Sequence, residues 1–290
     1  MRKLILILNV LIFSFFNSQA QRFDFEKATI ESVGNDLRKG KLTAVELTQI
    51  YLKRIDSLNP LVNAMLVINP EALALARKAD LELKAGLDRG KLHGIPVILK
   101  DNIDTHDKMP TTAGSRALAE SIALNDAFIV KKLRDAGAII LGKANLSEWA
   151  NFRSSQSSSG WSGLGNQTHN PYKLDCNPCG SSAGSGVAVS SDFCLLAIGT
   201  ETNGSIVCPA NANGVVGLKP TVGLLTRSGI IPISYSQDTP GPMTRNVTDA
   251  AIALGFMTGV DTKDSLTKES IGKSYLDYSQ FLQKSGLKGK

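Results

Sequence analysis

The sequence predicts an α/β fold, a sheet layered against helices. Three observations carry that expectation. Short apolar runs of strand length recur at residues 95–99, 138–142 and 194–200. Longer segments with apolar residues at helical spacing lie before and between them. Strand and helix signals therefore alternate along the chain, the order that builds a sheet covered by helices.

The first 20 residues stand apart from that pattern. Arg2 and Lys3 precede an apolar run over residues 4–16, and Ser18-Gln19-Ala20 supplies small residues at the −3 and −1 positions. This is the build of an export signal, with cleavage expected after Ala20. The run is shorter than the ~20 apolar residues of a spanning helix. The expected product is exported, periplasmic or extracellular, with no stable membrane anchor.

Residues 28–38 then carry Ile30, Val33 and Leu37 on one helical face. Thr43 with Glu46 three residues on has capping-box spacing, and Leu47, Ile50, Tyr51 and Ile55 follow as one apolar stripe. Residues 63–68 suit a short strand, and residues 70–87, rich in Ala, Leu and Lys, suit a third helix. The buried-strand candidate 95–99 comes next, then a helix over 127–136 and the strand 138–142.

Composition narrows the function. Hydrophobic residues make up 42% and charged residues 20%, enough for a sizeable core. The formal net charge of +6 is scattered, with no basic stripe interleaved with aromatics, so no nucleic-acid partner is expected. Four cysteines are too few for a disulfide scaffold. Cys176-x-x-Cys179 resembles half a zinc knuckle, but Cys194 and Cys208 are no second pair, so no metal and no cofactor is expected. A local Cys176–Cys179 disulfide stays open. Cys194 and Cys208 read as small core residues.

Two Ser/Gly clusters carry the chemistry. Residues 180–186 run straight into an apolar stretch, which argues against a linker. Residues 199–205 follow the strand candidate 194–200 and end on Gly204-Ser205. A Gly-rich turn at a strand end exposes backbone N–H groups that can hold an oxyanion, so a serine there stands beside its own hole. A serine needs a base. The three histidines, His93, His106 and His169, read as surface or loop residues. Lys100 ends the apolar run 95–99, and burial would favour its neutral amine, a competent base. A structural pairing of Lys100 with Asp101 or Asp104 is the plainer alternative.

These segments resemble the amidase signature family. The resemblance rests on Gly94-Ile95-Pro96-Val97-Ile98-Leu99-Lys100-Asp101-Asn102, Gly180-Ser181-Ser182 and Gly204-Ser205-Ile206, in that order. Supporting stretches are Asn145-Leu146-Ser147-Glu148-Trp149-Ala150, Gly217-Leu218-Lys219-Pro220-Thr221 and Gly241-Pro242-Met243-Thr244-Arg245. The resemblance implies a mixed β-sheet core covered by helices. It implies a Ser–cis-Ser–Lys triad with Ser205 as nucleophile, Ser181 as the cis serine and Lys100 as base. Thr202, Asn203, Gly204 and Ser157 would serve substrate and oxyanion binding. The implied reaction is hydrolysis of a small-molecule or peptide amide through an acyl-enzyme. The chain departs from the family at Cys179, Ala183 and Asn203, where glycine is usual, at Val207, where arginine is common, and at Glu201, where aspartate is common. Members are usually much longer, so residues 21–290 read as one amidase signature domain lacking its C-terminal part.

Three other readings compete. The chain could be a non-catalytic fragment. It could resemble the amidotransferase component that supplies ammonia for charged tRNA, against which the export signal speaks. Gly180-x-Ser182-x-Gly184 also fits a nucleophile elbow, but all three histidines precede Ser182, whereas an α/β-hydrolase needs its histidine after the serine.

Overall fold

The computed structural model describes residues 23–286 and 288–289. The expected export signal lies outside the described residues. The first helices begin where their caps allow. Thr29 caps α1 (Ile30–Arg38), and Thr43 caps α2 (Ala44–Val62) in a reciprocal box with Glu46, as its spacing predicts. α2 ends at Asn63, whose left-handed backbone (φ 50°) turns the chain into β1 (Met65–Ile68). α3 (Ala72–Lys84) then packs on α2.

The core strands are β2 (Pro96–Lys100), β3 (Ile139–Ala144) and β6 (Leu196–Glu201), buried along their whole length. Strands buried on both faces read as continuous apolar runs, which is why these three are visible in the sequence. α4 (Phe128–Asp135) precedes β3. The hairpin strands β4 (Trp161–Ser162) and β5 (Asn166–Gln167) form a separate small pair. β7 (Val216–Gly217) and β8 (Thr239–Thr244) complete the main sheet, in the order β1-β3-β2-β6-β8-β7. β2 runs parallel to both β3 and β6, while β1, β8 and β7 run antiparallel to their neighbours. The sheet is mixed and helix-covered, as expected. Its parallel centre brings the C-terminal ends of β2 and β6 side by side, with Leu99 opposite Ile198.

Two elements carry little local signal. α5 (Ala183–Ser190) begins inside the Ser/Gly cluster 180–186 and packs on β2, β3 and β6. Its glycines hide the helix from propensity, yet they permit the packing. A β-carbon on Gly184 would collide with backbone atoms of Ala64 and Asn145. The second is β8, Thr-Pro-Gly-Pro-Met-Thr, in which two prolines and a glycine argue against a strand. The carbonyl of Pro242 accepts from the Leu218 N–H, so this residue turns its hydrogen-bonding edge away from β6. Pro240, two residues earlier, shares that edge. The missing N–H groups therefore do not interrupt the β6 ladder, which runs from Leu196–Thr244 to Glu201–Thr239. α6 (Val207–Ala212) and α7 (Val247–Met257) close the fold, α7 lying against β6, β7 and β8.

The cysteine reading is corrected. Cys179 pairs with Cys208 across 29 residues, Cα–Cα 5.8 Å, and not with Cys176. Cys176 is free and exposed; Cys194 is buried, as expected of a small core residue. Cys208 is exposed at the start of α6, because that helix lays only Pro209 and Ala210 against the protein.

Candidate active site

Lys100 is the last residue of β2 and is fully buried. Its amine lies 2.7 Å from Ser181 Oγ, 2.9 Å from Thr200 Oγ1 and 3.2 Å from the Thr200 carbonyl. The Thr200 hydroxyl is held in turn by Asn102 Nδ2 at 3.0 Å. Neither Asp101 nor Asp104 pairs with Lys100. Asp101 faces the buried Lys143, 4.0 Å away, and accepts from Thr112.

Burial dominates the Lys100 electrostatics. Desolvation pulls its pKa down from 10.5 to about 7, against the opposing pull of Glu201 and Asp238. An ammonium offers three donors to this site; a neutral amine offers two donors and one lone pair. The two Thr200 oxygens match two N–H groups. The lone pair then remains for the hydroxyl proton of Ser181. The same three oxygens accept all three N–H groups when the amine is charged, so the partner set fits both forms and only the neutral one can accept from Ser181.

Ser181 stands at the entrance to α5, behind a cis Gly180–Ser181 peptide bond. Ser182 fastens this entrance to β6: its hydroxyl donates to the Thr200 carbonyl (3.0 Å) and accepts from the Thr200 N–H (3.1 Å). Gly199 makes room, since a β-carbon there would strike the Ser182 side chain. Ser182 is therefore a buried structural residue, which removes it as the nucleophile of an elbow.

Ser205 follows the end of β6, two residues before α6. The Ser182 N–H donates to its carbonyl at 3.0 Å, which joins the two serine loops. Ser205 lines a cleft together with Ser181, Thr200, Thr202, Asp238 and Ile231. Among the described residues its hydroxyl makes no hydrogen bond, and none joins it to Ser181. The cleft at the serines holds about 10 Å³, room for one water-sized group. It shares Asn102, Ala150, Ile231 and Ile233 with a recess of about 110 Å³ walled by Trp149, Phe152 and Pro232.

The loop 202–205 is organised by a residue the sequence reading noted only as a departure. Glu201, 4% exposed, accepts from the N–H groups of Gly204 (2.8 Å), Ile206 (2.7 Å) and Val207 (2.9 Å). Lys219 stands 3.8 Å from the same carboxylate and donates to the Thr202 carbonyl at 2.7 Å. Asp238 accepts from the Thr202 hydroxyl and from the N–H groups of Ile233 and Ser234. This corrects the reading of Gly204 as an oxyanion donor, because a buried carboxylate already holds its N–H. The N–H groups of Thr202, Asn203 and Ser205 have no partner among the described residues. Ser157 does not line the cleft; its hydroxyl is buried without a partner. Glu201 stood out only as a departure from the family pattern, and Asp238 had no legible signal, because its partners are backbone groups and a threonine distant in sequence.

The histidine reading also changes. His93 is buried, 3.2 Å from Glu82, and not a surface residue. It precedes β2, at the end of the strand opposite Lys100. None of the three histidines lines the cleft.

Comparison with known proteins agrees with the fold. The Amidase family model matches residues 46–288, and the chain belongs to that family. It is 48% identical over 273 residues to a probable amidase of Arabidopsis thaliana, covering 92% of this chain and 53% of that protein. It is 44% identical over 257 residues to a glutamyl-tRNA(Gln) amidotransferase component of Gloeothece citriformis, covering 88% of this chain and 51% of that protein. The native peptide amidase from Stenotrophomonas maltophilia superposes with a TM-score of 0.89 at 51% identity, over 92% of this chain and 55% of that one. The chain thus spans about half the length of the relatives it matches.

Proposed function

We propose that this protein hydrolyses a carboxylic amide, with Ser205 as nucleophile, Ser181 as proton bridge and Lys100 as base. The observation that carries the reading is the 2.7 Å contact between a fully buried Lys100 amine and Ser181 Oγ, in a cleft that Ser205 also lines. Neutral Lys100 takes the Ser181 proton as Ser181 takes that of Ser205. Ser205 Oγ then attacks the amide carbon. The free N–H groups of Thr202, Asn203 and Ser205 are the candidate donors to the oxygen that becomes negative. Ser181 returns the proton to the departing nitrogen, so ammonia or an amine leaves and an acyl-serine forms. Water repeats the sequence and releases the acid. Catalytic contacts of this kind are often loose before substrate arrives, which accommodates the unbonded Ser205 hydroxyl.

A peptide or small-molecule amide is the proposed substrate. The likeness to a peptide amidase and the apolar recess beside the serines support it. Export after cleavage at Ala20 is part of the proposal, and N-terminal sequencing of the secreted product tests it. The activity is tested by ammonia release from a panel of amino-acid and peptide amides. Turnover by the wild-type chain that Ser205→Ala abolishes is the expected result. Turnover that survives Ser205→Ala would overturn the assignment.

A further inference from the structure

We propose that the Cys179–Cys208 disulfide is a positioning device for the serine pair, and that a dithiol switches it off. The proposal rests on the assignment of Ser181 and Ser205 above. The bridge joins the residue directly before Gly180–Ser181 to the third residue after Ser205. Both reactive serines therefore lie just inside the two ends of one closed loop. A second tie runs beside it: Asn213 Nδ2 donates to the carbonyls of Pro178 (2.9 Å) and Pro209 (2.7 Å), the neighbours of the two cysteines.

The backbone at Cys179 gives the bridge its task. Cys179 has φ 58°, in the left-handed region that disfavours a residue with a β-carbon. Among the described residues, the only side-chain contact to its backbone N–H comes from Asn177 Oδ1 two residues back, at 2.8 Å. The bond to Cys208 holds the residue in that region. Once the bond is cut, Cys179 relaxes toward negative φ, and Gly180 and Ser181 move with it, away from Lys100. A glycine at 179 would stay in place without a bridge.

The sulfur chemistry is accessible. Cys208 is exposed and Cys179 half-buried at the surface. A dithiol attacks one sulfur, forms a mixed disulfide, and closes into a cyclic disulfide. Two electrons and two protons pass to the bridge, leaving two thiols. Cys176, exposed three residues from Cys179, is a thiol that could exchange with the bridge, so the test removes it.

The test uses the full chain carrying Cys176→Ser, with melting curves fixing an assay temperature at which every variant is folded. The readouts are labelling of Ser205 by a fluorophosphonate, kcat and KM on an amide, and hydrogen exchange of the amides at 182 and 202–205. Dithiothreitol is expected to slow labelling and kcat about tenfold, the scale of one left-handed residue, with KM changed less than about twofold. Cys208→Ser should match the reduced protein. Cys179→Gly combined with Cys208→Ser should label at nearly the oxidised rate and ignore dithiothreitol. Equal rates for Cys208→Ser and the double variant would overturn the proposal, because a mere staple treats them alike. So would labelling unaffected by reduction. If the oxidised protein fails to label at all, the amidase reading falls. Exchange at 182 and 202–205 then decides this one: faster on reduction supports it, unchanged overturns it.

Discussion

Titrating the protein between pH 6 and pH 8 should switch Ser205 on. Burial lowers the Lys100 pKa to about 7, while Glu201 and Asp238 hold it from falling further. With that midpoint, about a tenth of the amine is neutral at pH 6, half at pH 7 and about nine-tenths at pH 8. If the neutral amine is the base, the acylation rate rises about tenfold across the window and then levels. The assay is the rate of fluorophosphonate labelling of Ser205 against pH. Stability supplies an independent arm. The folded pKa lies below the unfolded 10.5, so the unfolded chain binds more protons from about pH 7 to 10.5. Lys100 therefore costs stability below about pH 7, and that cost fades as pH rises toward 10.5, by up to about 5 kcal/mol in all. Lys100→Met should erase both the rate step and this slope. A rate flat from pH 6 to 8, or a step near pH 10, would refute the buried-base reasoning.

Glu201→Gln should lower the midpoint of that rate profile, because the carboxylate raises the Lys100 pKa, and should lower kcat as the loop 202–205 loses its anchor. Gly241→Ala should destabilise the fold by about 1–3 kcal/mol or more in urea denaturation, since its β-carbon would overlap the Leu218 carbonyl oxygen of the adjoining segment. Lys143→Met should cost about 3–5 kcal/mol at pH 8 by leaving Asp101 charged and buried alone. That cost should shrink at pH 5, because burial has already raised the Asp101 pKa to about 6, so the carboxylate takes up a proton there.

Sequence patterning revealed the parts governed by one element at a time. Thr43 and Glu46 announced α2, and the apolar runs announced β2, β3 and β6, because caps and fully buried strands leave local signatures. Lys100 was legible as a buried amine for the same reason: a charge ending a buried strand is conspicuous. The rest depends on which residues meet in space. β8 carries two prolines whose harmlessness follows only from the edge they face. Cys208 read as core because its neighbours are apolar, although α6 turns it outward. Glu201 is one acidic residue among many until three N–H groups gather on it. Motif order singled out Ser181 and Ser205 as candidates, whereas the loss of Gly204 as a free donor follows only from that gathering.

The two prolines of β8 also bear on how copies of this chain meet. On the side away from β6, β7 pairs with Met243 and Thr244, and the following residue, Leu218, donates to the Pro242 carbonyl. Beyond it Pro240, itself buried, offers a carbonyl and no proton to any strand that would extend the ladder. Such a rim cannot template an intermolecular ladder there. It leaves this flank of the sheet poorly suited to seed fibrils.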